Sequence, residues 1–138
     1  MADTSFENFM HQRRQVAAAF ANGDPAPLRD ISTREDPATI LGPAGGAEQG
    51  AAHVLDVNQA ASRQFQRGGT TELEVLHSGT SGDLAYWTGF QQASVRFEGK
   101  PDAVQMRLRV TEIFRREGGD WKLIHRHADP LADEQKRH

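Results

Sequence analysis

"AVQMRLRVTEIFRREGGDWKLIHRHA", residues 103–128, alternates apolar and polar side chains on either side of a glycine turn. A period of two broken by such a turn predicts an antiparallel hairpin. In its first arm Met106, Leu108, Val110, Glu112 and Phe114 fall on one face, and Arg107, Arg109, Thr111 and Ile113 on the other. The second row is mixed rather than uniformly charged, so both faces read as covered, one by helices and one by a partner subunit. Unbroken alternation in the second arm puts Trp121, Leu123, His125 and His127 on one side and Lys122, Ile124 and Arg126 on the other. Which side meets the helices is left open. With the arginine side inward, Arg107, Arg109 and Arg126 line a pocket and favour an anionic ligand through charge-assisted bonds. With the other side inward, the pocket is aromatic with imidazole edges.

Working outward, "TTELEVLHSG" (70–79) and "DLAYWTGFQQASVRFEG" (83–99) repeat the period of two, giving four consecutive strands. Upstream the period lengthens. Phe6, Phe9, Met10, Val16 and Phe20 form an apolar stripe that predicts a helix over 4–22, and Val54, Val57, Ala61 and Phe65 predict a second over about 47–66, closed by "RGG". Between them "GDPAPLRD" permits at most a short helix, and "DPATILGP" (36–43) reads as a brief strand. The following "GPAGGAEQG" has neither a GxGxxG pattern nor a Walker lysine and serine, so it reads as a connection rather than a phosphate cradle. Helices first and an antiparallel meander after them make an α+β fold, with one domain over 1–138 and a solvated tail from about 131.

The 138 residues carry a net charge of −3, which lacks the basic footprint of a nucleic-acid binder. There is no cysteine for a disulfide or a thiolate metal site. "MADTSFENFMHQRRQ" (1–15) has acidic and polar residues where a secretory leader needs a basic end and an apolar run, so it does not read as one, and no stretch approaches roughly 20 apolar residues. The expectation is a cytoplasmic protein without nucleic-acid or membrane partners.

"RVTEIFRREGGDWKLIHRHADP" (109–130) resembles the last hairpin of SnoaL-like proteins in the nuclear transport factor 2 superfamily, with its R-x-T-x-x-x-R-R strand, glycine turn, tryptophan and terminal H-x-H. "DPATILGPAGGAEQG" and "SGDLAYWTGFQ" resemble the corresponding upstream segments. The resemblance implies a curved sheet around a long helix, a conical pocket, and a homodimer packed through the sheet face. The superfamily includes isomerases, dehydratases, cyclases and non-catalytic association domains, so fold does not decide function. The tyrosine–acid site of the steroid isomerases has no match, since the single tyrosine, Tyr86, lies in a central strand. Thr88 and Ala128 stand where the kinase association domain carries arginines for small carboxylates.

Several residue types carry chemistry. His125 and His127 have the spacing for one metal, but a third ligand would have to come from His77 or Glu112, which no motif places. No metal and no cofactor are assigned. As proton carriers His127, His125 and Glu112 are the catalytic candidates, in cofactor-free isomerisation, cyclisation or dehydration. The competing reading makes the histidines structural and pairs Glu112 with an arginine or histidine. Asp56 and His53 are helical counterparts. Tyr86, Trp87, Thr88, Phe90, Arg107, Arg109, Thr111 and Arg126 are the expected contacts to a small apolar or anionic metabolite. A non-catalytic ligand-binding or oligomerisation module is the alternative.

Overall fold

The computed structural model describes residues 5–132, ordered α1 (Ser5–Ala21), α2 (Ala26–Ile31), β1 (Thr39–Leu41), β2 (Ala47–Gln49), α3 (Ala51–Arg63), β3 (Phe65–Ser81), β4 (Leu84–Phe97), β5 (Val104–Glu117) and β6 (Asp120–Pro130). The tail beyond Ala132 lies outside the described residues. No described helix is long and apolar enough to cross a membrane.

The strands form one open sheet in the order β2-β1-β6-β5-β4-β3, with the helices packed on it. The fold is α+β as read, but the sheet is mixed rather than antiparallel throughout. β1 runs parallel to β6, with Thr39 beside His125 and Leu41 beside His127. A three-residue strand is too short to reveal its partner through local pattern.

α1 buries Phe6, Phe9, Met10, Arg13, Val16 and Ala17 along one stripe. The Phe6 ring meets Phe114 at 5.4 Å and Trp121 edge-on at 5.6 Å, and Phe9 meets Phe114 at 5.1 Å. Each buried aromatic contributes roughly 2–3 kcal/mol, so this cluster fixes the helix on β5 and β6. The helix stops at Ala21. Gly23 then adopts φ +87°, and any Cβ there would lie 2.4 Å from the Phe65 carbonyl oxygen. The Asn22 side chain ties this end to β3, accepting from the Gly68 and Gly69 N–H groups and donating to the Gly69 carbonyl.

Two boundaries differ from the sequence reading. α3 begins at Ala51 rather than about 47, because 47–49 pair with β1 and Gly50 turns the chain at φ +97°. The Asp36 carboxylate accepts from the Ala51 N–H at 2.7 Å and serves as a cap from outside the helix. β3 begins at Phe65 instead of 70, so Phe65 belongs to a strand and "RGG" continues it through an irregular register between Gln66 and Thr70.

The third difference decides the site. In β6, Leu123 pairs with Phe114 but His125 pairs with Ile113, leaving Ile124 as an extra residue. This bulge reverses the alternation. Trp121, Leu123, Arg126 and Ala128 consequently share the helix-facing side, while His125 and His127 lie on the outer side with Ile113 and Thr111.

Candidate functional site

Glu112 sits at the centre of β5 on the helix-facing side and has no exposed surface. Its neighbours are fixed by three elements. β4 presents Trp87, its register partner, whose Nε1–H donates to Oε1 at 2.8 Å. β6 presents Arg126, whose Nη1 donates to Oε2 at 2.8 Å. α1 presents Arg13, whose Nε and Nη2 donate to Oε1 and Oε2 at 2.9 and 2.8 Å. The carboxylate thus accepts four bonds. Burial alone pushes the Glu112 carboxyl up, but the charges of Arg13 and Arg126 and their hydrogen bonds outweigh it and hold the group at about 2.

Two guanidinium groups and one carboxylate leave one net positive charge in the interior. Arg126 carries the part of it that a ligand can meet. Its side chain keeps 20% of its surface open and lines a cavity of about 240 Å³ between the sheet and the three helices. Its Nη2 donates to Gln91 Oε1 at 2.6 Å, and Gln91 Nε2 donates to Thr71 Oγ1 at 3.3 Å. Most of the wall is apolar, supplied by Phe20, Leu28, Val54, Val95, Leu108 and Leu123 among others. Among the described residues, Arg13 and Arg126 are its only ionisable lining groups. An apolar cavity with a few convergent polar groups is the ordinary character of a small-molecule site.

The residues singled out from the sequence divide between the two sides. Trp87, Glu112 and Arg126 face the helices. Of these Arg126 lines the cavity, and Trp87 and Glu112 stand behind it. Tyr86, Thr88, Phe90, Arg107, Arg109, Thr111, His125 and His127 do not line it. On the outer side His125 Nδ1 bonds to Thr39 Oγ1 at 2.5 Å, and its pKa is pulled down by burial and then by the neighbouring His127. His127 is half exposed and 3.7 Å from Asp129. Asp129 is gripped by Arg109 through two bonds, at 2.6 and 2.9 Å, which lower its pKa. Thr88 and Thr111 bond to each other at 2.7 Å, and Tyr86 Oη bonds to His77 Nδ1 at 2.9 Å. On α3, His53 pairs with Glu48 and Asp56 is exposed. No cluster of three or more metal-ligating side chains occurs among the described residues.

Sequence reasoning missed Arg13 and Gln91. Arg13 had a readable signal, since it falls four residues after Phe9 and three before Val16, a charge inside an apolar helical stripe. Gln91 had none beyond sharing a strand face with Trp87.

Helices on an open mixed sheet around an apolar cavity place the chain in the nuclear transport factor 2-like class. The model of the SnoaL-like domain matches residues 11–133, and the chain belongs to that family. No curated protein matches it. Among solved structures, a nuclear transport factor 2-like superfamily protein from Salmonella enterica is similar with a TM-score of 0.78 and 12% identity, over 95% of this chain and 94% of that one. A candidate dehydratase of the same family from Streptomyces avermitilis is similar with a TM-score of 0.76 and 20% identity, over 95% and 99%. An uncharacterized protein with a cystatin-like fold from Caulobacter vibrioides gives 0.73 and 12%, over 96% and 92%. At these identities the likeness concerns the fold.

Proposed function

We propose that this SnoaL-like domain binds a small, largely apolar molecule whose anionic end meets Arg126. The observation that carries the reading is the unequal buried group of Arg13, Glu112 and Arg126, which leaves a positive charge at the wall of an otherwise apolar cavity. The size sets the ligand class. A 150 Å³ apolar cavity accommodates benzene, so about 240 Å³ scales to roughly ten non-hydrogen atoms. A medium-chain carboxylate such as octanoate fits that description. The free N–H groups of Arg126 would hold its carboxylate, and the chain would displace water from the aliphatic wall.

Acid/base catalysis is supported less well. Glu112 is held as a carboxylate by four donors, which suits an anchor rather than a proton carrier. His125 and His127 point to the other side of the sheet, and the dehydratase likeness rests on 20% identity.

Titration calorimetry with octanoate and octanol tests the binding reading. Octanoate is expected to bind at least tenfold tighter than octanol, and Arg126→Gln to remove that preference. Equal binding of acid and alcohol, or binding of neither, overturns it.

A second reading concerns assembly, and rests on the composition of the outer face. Phe90 and Ile113 are half-buried there, and Leu84 and Tyr86 lie in the open at 50% and 36% exposure. We infer that a second copy covers this face. Sedimentation at micromolar concentration should give a dimer, and a monomer contradicts it.

A further inference from the structure

A second depression, of about 290 Å³, is formed between α2 and α3. Gly23, Arg29, Leu55, Asn58, Gln59 and Arg63 are on its wall. Asn58 also lines the central cavity, so this residue borders both spaces. Helical spacing explains the sharing. Val54, Asn58 and Ala61 face the cavity, whereas Leu55, Asn58, Gln59 and Arg63 follow the adjoining stripe of α3.

The charge of the groove is one-sided. Neither Arg29 nor Arg63 has a carboxylate partner among the described residues. With its amide oxygen turned toward Arg63, Gln59 accepts from the two Nη atoms at 2.6 and 3.3 Å, which holds that guanidinium along the helix. Arg34 donates to the Arg29 carbonyl at 3.3 Å but does not line the groove. Asp24, nearby in sequence, accepts from the Ala26 N–H at 3.1 Å. Isolated exposed arginines are ordinarily just solvated. These two converge on a concavity that adjoins an apolar one.

We propose that the groove is an anion-binding subsite of the cavity, in which Arg29 and Arg63 hold a carboxylate or phosphate group attached to the molecule whose apolar part fills the cavity. Asn58 is the threshold between them. The inference rests on the binding reading above and adds the ligand class, a short apolar chain with an anionic group at each end, one for Arg126 and one for the arginine pair.

Calorimetry with octanedioate and dodecanedioate against octanoate and dodecanoate, at low salt, tests it. At least one diacid is expected to bind wild-type protein about tenfold tighter than its monoacid, as charge-assisted bonds would give. Arg29→Gln/Arg63→Gln should bind diacid and monoacid alike, with its thermal unfolding unchanged because both positions are exposed. If monoacids bind and Arg126→Gln abolishes that binding, yet neither diacid gains, the subsite is overturned and the cavity reading stands. If the double variant keeps the diacid preference, the second anion is held elsewhere and the subsite is likewise overturned. If no acid binds wild-type protein, the cavity reading fails and the subsite fails with it.

Discussion

Glu112 and Arg126 are register partners on β5 and β6, and Nη1 of the arginine donates to Oε2 of a carboxylate that has no exposed surface. Removing that negative charge leaves Arg13 and Arg126 facing each other in the interior. Glu112→Gln preserves the shape and an acceptor for Trp87 Nε1, but it removes the negative charge and turns an amide donor toward Arg13 Nη2 and Arg126 Nη1. An uncompensated buried charge costs about 3–5 kcal/mol, and urea denaturation should register a loss of that size. A loss below about 1 kcal/mol would show that the carboxylate does not anchor the pair.

Stability should fall in acid in two stages. The folded-state value of Glu112, about 2, lies below its ordinary 4.5, so its contribution is complete above about pH 4.5 and is lost as pH falls toward 2. That gap corresponds to on the order of 3 kcal/mol. His125 acts in the same direction at higher pH. Its folded-state value is depressed below 6.5, so the neutral ring favours the fold above about 6.5 and its contribution disappears as pH drops below that. Urea midpoints measured between pH 7 and 3 should decline gently at first and steeply below about 4.5. Glu112→Gln should flatten most of the steep limb, leaving the smaller share of the half-buried Asp129 and Glu117 carboxylates, whose pKa values are also lowered, and keep the gentle one.

Function and stability are separable at this site. Replacing the buried ions together, in Arg13→Met/Glu112→Leu/Arg126→Met, removes all three charges at once and keeps apolar volume. Such replacements are often neutral or stabilising by about 1–4 kcal/mol. The Trp87 Nε1–H, buried and deprived of its acceptor, costs about 1–3 kcal/mol against that gain, so the expected outcome is a cooperative unfolding transition within about 2 kcal/mol of wild type, with octanoate binding reduced more than tenfold. A well-folded triple variant that still binds octanoate would remove Arg126 from the account.

The outer face makes a prediction of its own. Ile113→Glu places a charge beside its register partners Tyr86 and His125, on the outer face where Ile113 itself is half-buried within one subunit. Sedimentation should show dissociation of the dimer with the fold retained. An unaltered sedimentation coefficient would locate any interface elsewhere.

The hairpin from 103 to 128 was legible because its alternation is local, and the Phe6, Phe9, Met10 stripe was legible for the same reason. The errors came where one residue changes the phase or a partner is remote. Ile124 bulges out of β6, and that single insertion carries Arg126 inward and the two histidines outward. Nothing in "KLIHRH" marks the break, because Leu123 and Ile124 are both apolar and either can face a core. Gly68 and Gly69 read as the end of a helix, yet Gly68 at φ +98° continues a strand whose backbone passes close to the end of α1. The pairing of Thr39 with His125 spans 86 positions and has no local signature. Within the site, Glu112 was conspicuous as an acid in an apolar row, but its two arginines come from α1 and β6, and their convergence exists only in three dimensions.

A crystal structure of the protein grown with octanoate tests the central claim most directly. The account predicts the carboxylate within hydrogen-bonding distance of Arg126 and Gln91, with the chain lying against Leu28, Val95 and Leu108. An empty cavity under saturating octanoate, or the acid bound on the outer face beside His125 and His127, would contradict it.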